Sequence, residues 1–119
     1  MERLTVRPRI RILCGEEIAF GPGKAELLTL LEETGSLSHA AKRMDISYMK
    51  AWQLVQTMNR SYREPLVSTD RGGASGGGSQ LTDFGRKVLA LYREMEAASQ
   101  SAIAQPWTRM RRLLAAKTT

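Results

Sequence analysis

The spacing of apolar residues changes several times along this chain, and each change marks an element. Residues 3 to 13 alternate, with Leu4, Val6, Ile10 and Ile12 against Arg7, Arg9 and Arg11. That is the period of a half-buried strand. Pro8 restricts it to a sheet edge or to a start beyond the proline. Gly15 offers a turn, and Glu17 to Phe20 can return as a second strand. The outward arginines read as a solvated strand face that discourages edge-to-edge pairing, in preference to a phosphate contact. Gly21-Pro22-Gly23 breaks the chain. From Lys24 to Thr34 the period is helical, with Leu27, Leu28, Leu30 and Leu31 as the apolar face and Gly35 in the usual C-terminal position. Its carboxylates, Glu26, Glu32 and Glu33, make this helix a scaffold and a poor phosphate contact.

Gly35 to Arg60 is the stretch around which the rest is organised. Ser36 suits an N-cap, because its hydroxyl can accept a bond from a free amide of the first turn. Leu37, Ala40, Ala41 and Met44 then recur at helical spacing, and the two alanines let another helix come close. Asp45-Ile46 makes a corner and Ser47 caps a second helix over 47–61, with Ile46 and Ala51 placed as a hydrophobic staple. On that helix Ala51, Trp52, Val55, Met58 and Tyr62 share one side, with Tyr48 falling towards it. Met49, Lys50, Gln53, Thr57 and Arg60 share the other, which carries donors and cations but no carboxylate. Such a face suits a helix whose N-terminal half enters the major groove and meets base edges. An ordinary helical hairpin with a solvated polar face has the same pattern.

The second helix ends before Pro65, since the residue preceding a proline is pushed out of the helical region. Leu66 to Asp70 and Gln80 to Thr82 read as a strand pair around a tip from Arg71 to Ser79 that holds five glycines in seven residues. A phosphate backbone can approach such a loop closely, with Arg71 at its base and Ser75 and Ser79 in reach. A nucleotide-binding P-loop needs a Gly-Lys-Ser/Thr run leading into a helix, and no lysine is present here. Thr82 then caps a long helix over 82–105, with Asp83 favourably placed in its first turn. Phe84, Val88, Leu91, Tyr92, Met95, Ala98 and Ala102 form its stripe, and Pro106 is expected to stop it. A stripe that outlasts the core of its own subunit points to pairing with a second copy across a two-fold axis. Val88, Leu91, Tyr92, Met95, Ala98 and Ala102 are the expected dimer contacts. The domain is expected over 1–106, followed by a basic tail over 107–119, either a short amphipathic helix or a fraying end.

Composition narrows the partner more than the fold. A length of 119 residues with 42% apolar content supports one domain with its own core. A net charge of +6 and a pI near 10.0 favour a polyanion. The single cysteine, Cys14, excludes an internal disulfide and a cysteine-rich zinc site. No apolar run approaches the roughly 20 residues of a membrane span, and no signal peptide is evident, so a cytoplasmic protein without membrane contact is expected.

The order strand, helix, helix, helix, hairpin, long helix is that of a winged helix-turn-helix, an α+β fold that is mainly α. The residues also carry a resemblance: GSLSHAAKRMDISYMKAWQLVQTMN, then LV, GG, GGG, LT and Gly85. This stretch resembles the N-terminal DNA-binding domain of the ModE family of molybdate-responsive regulators, within the LysR-type helix-turn-helix group. The match runs from about Lys24 to Met95. It implies a homodimeric, sequence-specific transcription regulator on double-stranded DNA, paired through the long helix with its wing beside the groove. It gives Ser47, Tyr48, Met49 and Lys50 to the DNA-facing start of the recognition helix, the cation standing one position later than in the family pattern. Together with the hairpin readings, the expected DNA contacts are Ser36, Ser38, Ser47, Tyr48, Met49, Lys50, Gln53, Thr57, Arg60, Arg71, Ser75 and Ser79. Full-length relatives carry a molybdate-binding module. Nothing resembling it is present in these residues, so no cofactor is expected in this chain, and a sensor would be a separate domain or chain.

Three other classes compete. The only histidine, His39, has no second metal ligand and no carboxylate three or four residues on, and no nucleophile stands beside a base, so an enzyme is not expected. A winged-helix protein-interaction module would favour acidic residues on the recognition face, where Lys50 and Arg60 stand instead. A non-specific DNA-binding protein would use the positive charge alone.

Overall fold

A computed structural model describes residues 3–69 and 78–115. Strands β1 (Ile12–Cys14) and β2 (Glu17–Phe20) form an N-terminal hairpin. Helices α1 (Pro22–Thr34), α2 (Leu37–Met44) and α3 (Tyr48–Ser61) follow. Strands β3 (Val67–Thr69) and β4 (Ser79–Leu81) pair antiparallel, with Val67 opposite Leu81, before α4 (Asp83–Arg111) closes the chain.

The caps form as the sequence predicts. Gly35 adopts φ 68° and its N–H donates to the Leu31 carbonyl, ending α1. The Ser36 hydroxyl accepts from His39 N–H and the Ser47 hydroxyl from Lys50 N–H. Between them Asp45 turns the corner in the left-handed region (φ 59°, ψ 43°), at a site where a carboxylate side chain is tolerated. Thr82 accepts from Gly85 N–H and caps α4.

The core lies where α1, α2 and α3 meet, and Phe20, Leu27, Leu28, Leu31, Ala40, Ala51, Val55 and Met58 are all buried there. Phe20 is its aromatic centre, edge-on to Tyr92 at 4.9 Å and to Tyr62 at 6.3 Å between ring centroids. Gly85 shows how tightly α4 is seated. A Cβ built there would stand 2.1 Å from the Leu66 carbonyl oxygen, so only glycine lets the helix approach β3.

Three expectations about the ends of the chain are corrected. Residues 3–11 form no strand, because β2 is only four residues long and offers no partner beyond Ile12. The segment lies along α4 instead. The Tyr92 hydroxyl donates to the Ile10 carbonyl at 2.6 Å and the Gln100 amide reaches the Val6 carbonyl at 3.5 Å, so the arm runs antiparallel to the helix. Its alternation survives: Leu4, Val6, Pro8, Ile10 and Ile12 are half-buried, and the arginines face outward.

Pro106 does not stop α4, which continues to Arg111. The carbonyl that loses its partner belongs to exposed Ala102, where water can satisfy it, and the Thr108 hydroxyl bonds the Ala104 carbonyl at 3.0 Å. The expected boundary between helix and tail therefore falls inside a continuous helix.

The third correction is Tyr92. It is buried in its own subunit between Phe20 and Ile10, so it is not available to a second copy. Val88 is half-buried against the same core. Leu91 (52% exposed), Met95 (43%), Ala98 and Ala102 remain on the open side of the helix. Among the described residues no helix is long and apolar enough to cross a membrane.

Candidate nucleic-acid interface

Helix α3 stands out from the scaffold at its N-terminal end. Ser47, Tyr48, Met49 and Lys50 are all exposed, as are Trp52, Gln53 and Arg60. A shallow groove of about 380 Å³ crosses this surface, lined by Lys50, Trp52, Gln53, Gln56, Thr57 and Arg60 among others. The helix carries no carboxylate. Ser47 caps it, and the exposed first turn leaves the positive end of its dipole open to solvent.

Two aromatic placements depart from the helical wheel. Tyr48 is 54% exposed and Trp52 38% exposed, although the wheel puts both towards the core. Tyr48 is the first residue of α3, ahead of the first buried turn, which begins at Ala51. Trp52 lies at the edge of the buried stripe of Ala51, Val55 and Met58. With Met49, 60% exposed, they give the start of α3 an apolar surface among its donors, of the kind that meets thymine methyl groups.

The other expected contacts divide. Ser38 is exposed, and Ser36 and Thr57 are half-buried. Arg60 is exposed but engaged, its guanidinium 3.3 Å from Glu17 of the β1–β2 hairpin. Ser79 is corrected. It is buried, and its N–H donates to the Gly35 carbonyl, because β4 packs against the end of α1. Arg71 and Ser75 lie outside the described residues. His39 is exposed on α2, beside Lys42 and Arg43. Among the described residues no group of acidic, histidine or cysteine side chains could hold a metal ion.

Asn59 is the positioning residue that pattern reading passes over. Its carboxamide oxygen accepts from Leu66 N–H at 2.8 Å and Val67 N–H at 3.2 Å, and its amide donates to the Val67 carbonyl at 3.0 Å. One side chain thus fixes the β3–β4 ladder to the flank of α3. The available signal is modest: an asparagine in the last turn of a helix, a few residues ahead of a strand.

On the opposite flank lies Lys24, a buried lysine whose ammonium donates to the Ile18 carbonyl. Burial pulls its pKa below the ordinary lysine value. Glu17 opposes that shift, and the charges of Lys50 and Arg60 add to it.

The sequence profile described as "Bacterial regulatory helix-turn-helix protein, lysR family" matches residues 24–86, more than half of the chain. The chain belongs to that family. Within this lysR-type group it is similar to the "Molybdenum transport protein ModE" of Azotobacter vinelandii, 45% identical over 71% of this chain and 32% of the relative. It is 42% identical to the "Molybdenum-pterin-binding protein MopB" of Rhodobacter capsulatus, over 65% of this chain and 28% of that protein. It is 36% identical to the "DNA-binding transcriptional dual regulator ModE" of Escherichia coli K12, over 68% of this chain and 31% of the relative. The chain thus spans about a third of the length of these relatives. A LysR family transcriptional regulator of known structure shares the fold, with a TM-score of 0.51 at 21% identity over 71% of this chain and 26% of that one. Similarity to ModE regulators, expected from the recognition-helix and glycine motifs, is therefore found. The family is one of DNA-binding regulators, not of enzymes.

Proposed function

We propose that this chain is the DNA-reading part of a dimeric transcription regulator, with α3 lying in the major groove. The observation that supports this most is the start of α3: exposed, capped by Ser47, free of carboxylates and bearing Lys50 and Gln53 side by side. Lys50 is suited to guanine and Gln53 to adenine. Thr57 lines the same groove, Ser38, Tyr48 and Met49 are exposed, and the β3–β4 pair is held to α3 by Asn59. Pairing uses the open side of α4, through Leu91, Met95, Ala98 and Ala102, and sets two recognition helices on a palindromic site.

The names of the relatives suggest genes of molybdenum metabolism as targets. In this reading molybdate sensing belongs to a separate domain or chain, and the described residues supply the DNA contact.

Selection of bound duplexes from a random pool, at two salt concentrations, tests the proposal. The expected result is a palindrome with half-sites about one helical turn apart. Recovery of unrelated sequences, with binding that collapses as salt rises, would instead show that positive charge alone is acting.

A further inference from the structure

The face of the N-terminal arm that carries Arg9 and Arg11 sits beside the recognition helix, a placement that alternation alone could not reveal. Arg9, Arg11, Ile18 and Lys24 line a common cavity of about 180 Å³ with Leu54 of α3. Leu54 lies one turn after Lys50 and half-buried. Asn59, which holds the β3–β4 ladder, lies about half a turn from Lys50 around the helix at roughly 100° per residue. The arm and the ladder therefore flank α3 on opposite sides.

Three features make the arm a prepared surface rather than a loose tail. The Tyr92–Ile10 and Gln100–Val6 hydrogen bonds hold its backbone against α4. Its half-buried positions fix the register, and a slip of one residue would turn the arginines inward. Among the described residues neither Arg9 nor Arg11 has an ion-pair partner, whereas Glu17, whose charge acts on Lys24, is engaged by Arg60. The charges of Lys50 and Arg60 both bear on Lys24. Positive potential thus continues from the recognition helix to the arm.

We propose that Arg9 and Arg11 form a second phosphate-contacting surface, which grips the DNA backbone on the side of α3 away from the β3–β4 ladder. The proposal rests on the DNA-binding reading given above. It replaces the view of the arginine row as a merely solvated strand face.

The test uses the full chain and the duplex recovered by random-pool selection, with fluorescence anisotropy across a salt series. Arg9→Gln/Arg11→Gln keeps most of the aliphatic stems and removes two charges. Losing two phosphate contacts should make the slope of log affinity against log salt shallower by about 1.8, at about 0.9 per phosphate, with base preference unchanged. Arg9→Lys/Arg11→Lys should keep the slope. Arg109→Gln/Arg112→Gln, which removes the same charge from the far end of α4, should also leave it in place. An unchanged slope in the first variant overturns the proposal. So does an equal loss in the α4 control, which marks a diffuse charge effect, or a loss in the lysine variant, which marks a structural one. Absence of any duplex binding by the parent chain overturns the DNA reading itself, and this proposal with it.

Discussion

Asn59 holds Val67 by both ends of its peptide, accepting from its N–H at 3.2 Å and donating to its carbonyl at 3.0 Å. Helix α3 and the β3–β4 ladder are thereby tied together, although the two partners stand eight positions apart. Asn59→Ala leaves groups of buried Leu66 and Val67 without partners. A stability loss of about 2–3 kcal/mol is expected in urea unfolding, from three bonds at about 1 kcal/mol each. Asn59→Asp keeps the acceptor for Leu66 and Val67 N–H but sets an oxygen against the Val67 carbonyl, so it should also destabilise. Equal stability of the alanine variant and the parent would show that water replaces the carboxamide.

Gly85 meets a steric limit rather than a conformational one. Gly85→Ala forces α4 away from the Leu66 carbonyl, to which Thr82 N–H also donates at 2.9 Å. Overpacking of this kind costs about 1–3 kcal/mol, so a clear fall in Tm is expected. A parent-like melt would mean that α4 can shift freely against β3.

Tyr92→Phe removes the bond to Ile10 while keeping the ring against Phe20. A loss of about 1 kcal/mol is expected, with faster hydrogen exchange in the arm. There is also a signature in alkali. Burial raises the Tyr92 pKa above the ordinary 10.0, with Glu96 adding to the effect. The folded state then holds a proton that the unfolded chain releases first, so the contribution is intact below pH 10.0 and is lost as pH climbs through the raised value. Stability measured on both sides of that range should fall less steeply in the phenylalanine variant. Tyr62, raised by burial in the same direction, remains in both proteins.

Glu17→Gln releases Arg60 from its 3.3 Å ion pair and removes a negative charge beside Lys24. Both partners are well exposed, so stability should change little. DNA affinity should rise several-fold at low salt, with a steeper salt dependence. Unchanged binding would show that Arg60 is idle in the complex.

Leu91→Glu and Met95→Glu place charge on the open side of α4. Each should shift the chain to monomer mass in analytical ultracentrifugation. A parent that already sediments as a monomer, or a variant that keeps the mass of a dimeric parent, would exclude this face as the interface.

What could be read from the sequence follows the range of the interactions. Ser36, Ser47, Thr82 and Gly35 act on amides and carbonyls within a few residues, and each appears at its predicted cap. The two-sided pattern of α3 held for Ala51, Val55 and Met58. It failed at Tyr48 and Trp52, because a helical wheel has no information about where the neighbouring scaffold ends. Alternation in the arm was real, but its partner proved to be a helix rather than a strand, which no local period encodes. Pro106 was read by its missing N–H, whereas the exposure of the Ala102 carbonyl decided the outcome.

The bond between Tyr92 and Ile10 spans 82 residues. Synthesis runs from the arm towards α4, so the arm lacks its hydrogen-bond partners on α4 until the chain has been made past Tyr92. Helix α1 and the α2–α3 corner depend on near neighbours and can settle earlier. The arm is therefore seated only after α4 has formed, and until then Leu4, Val6 and Ile10 lack the helix they lie along. The arginines between them keep that waiting segment charged, and so resistant to pairing with its like on another nascent chain.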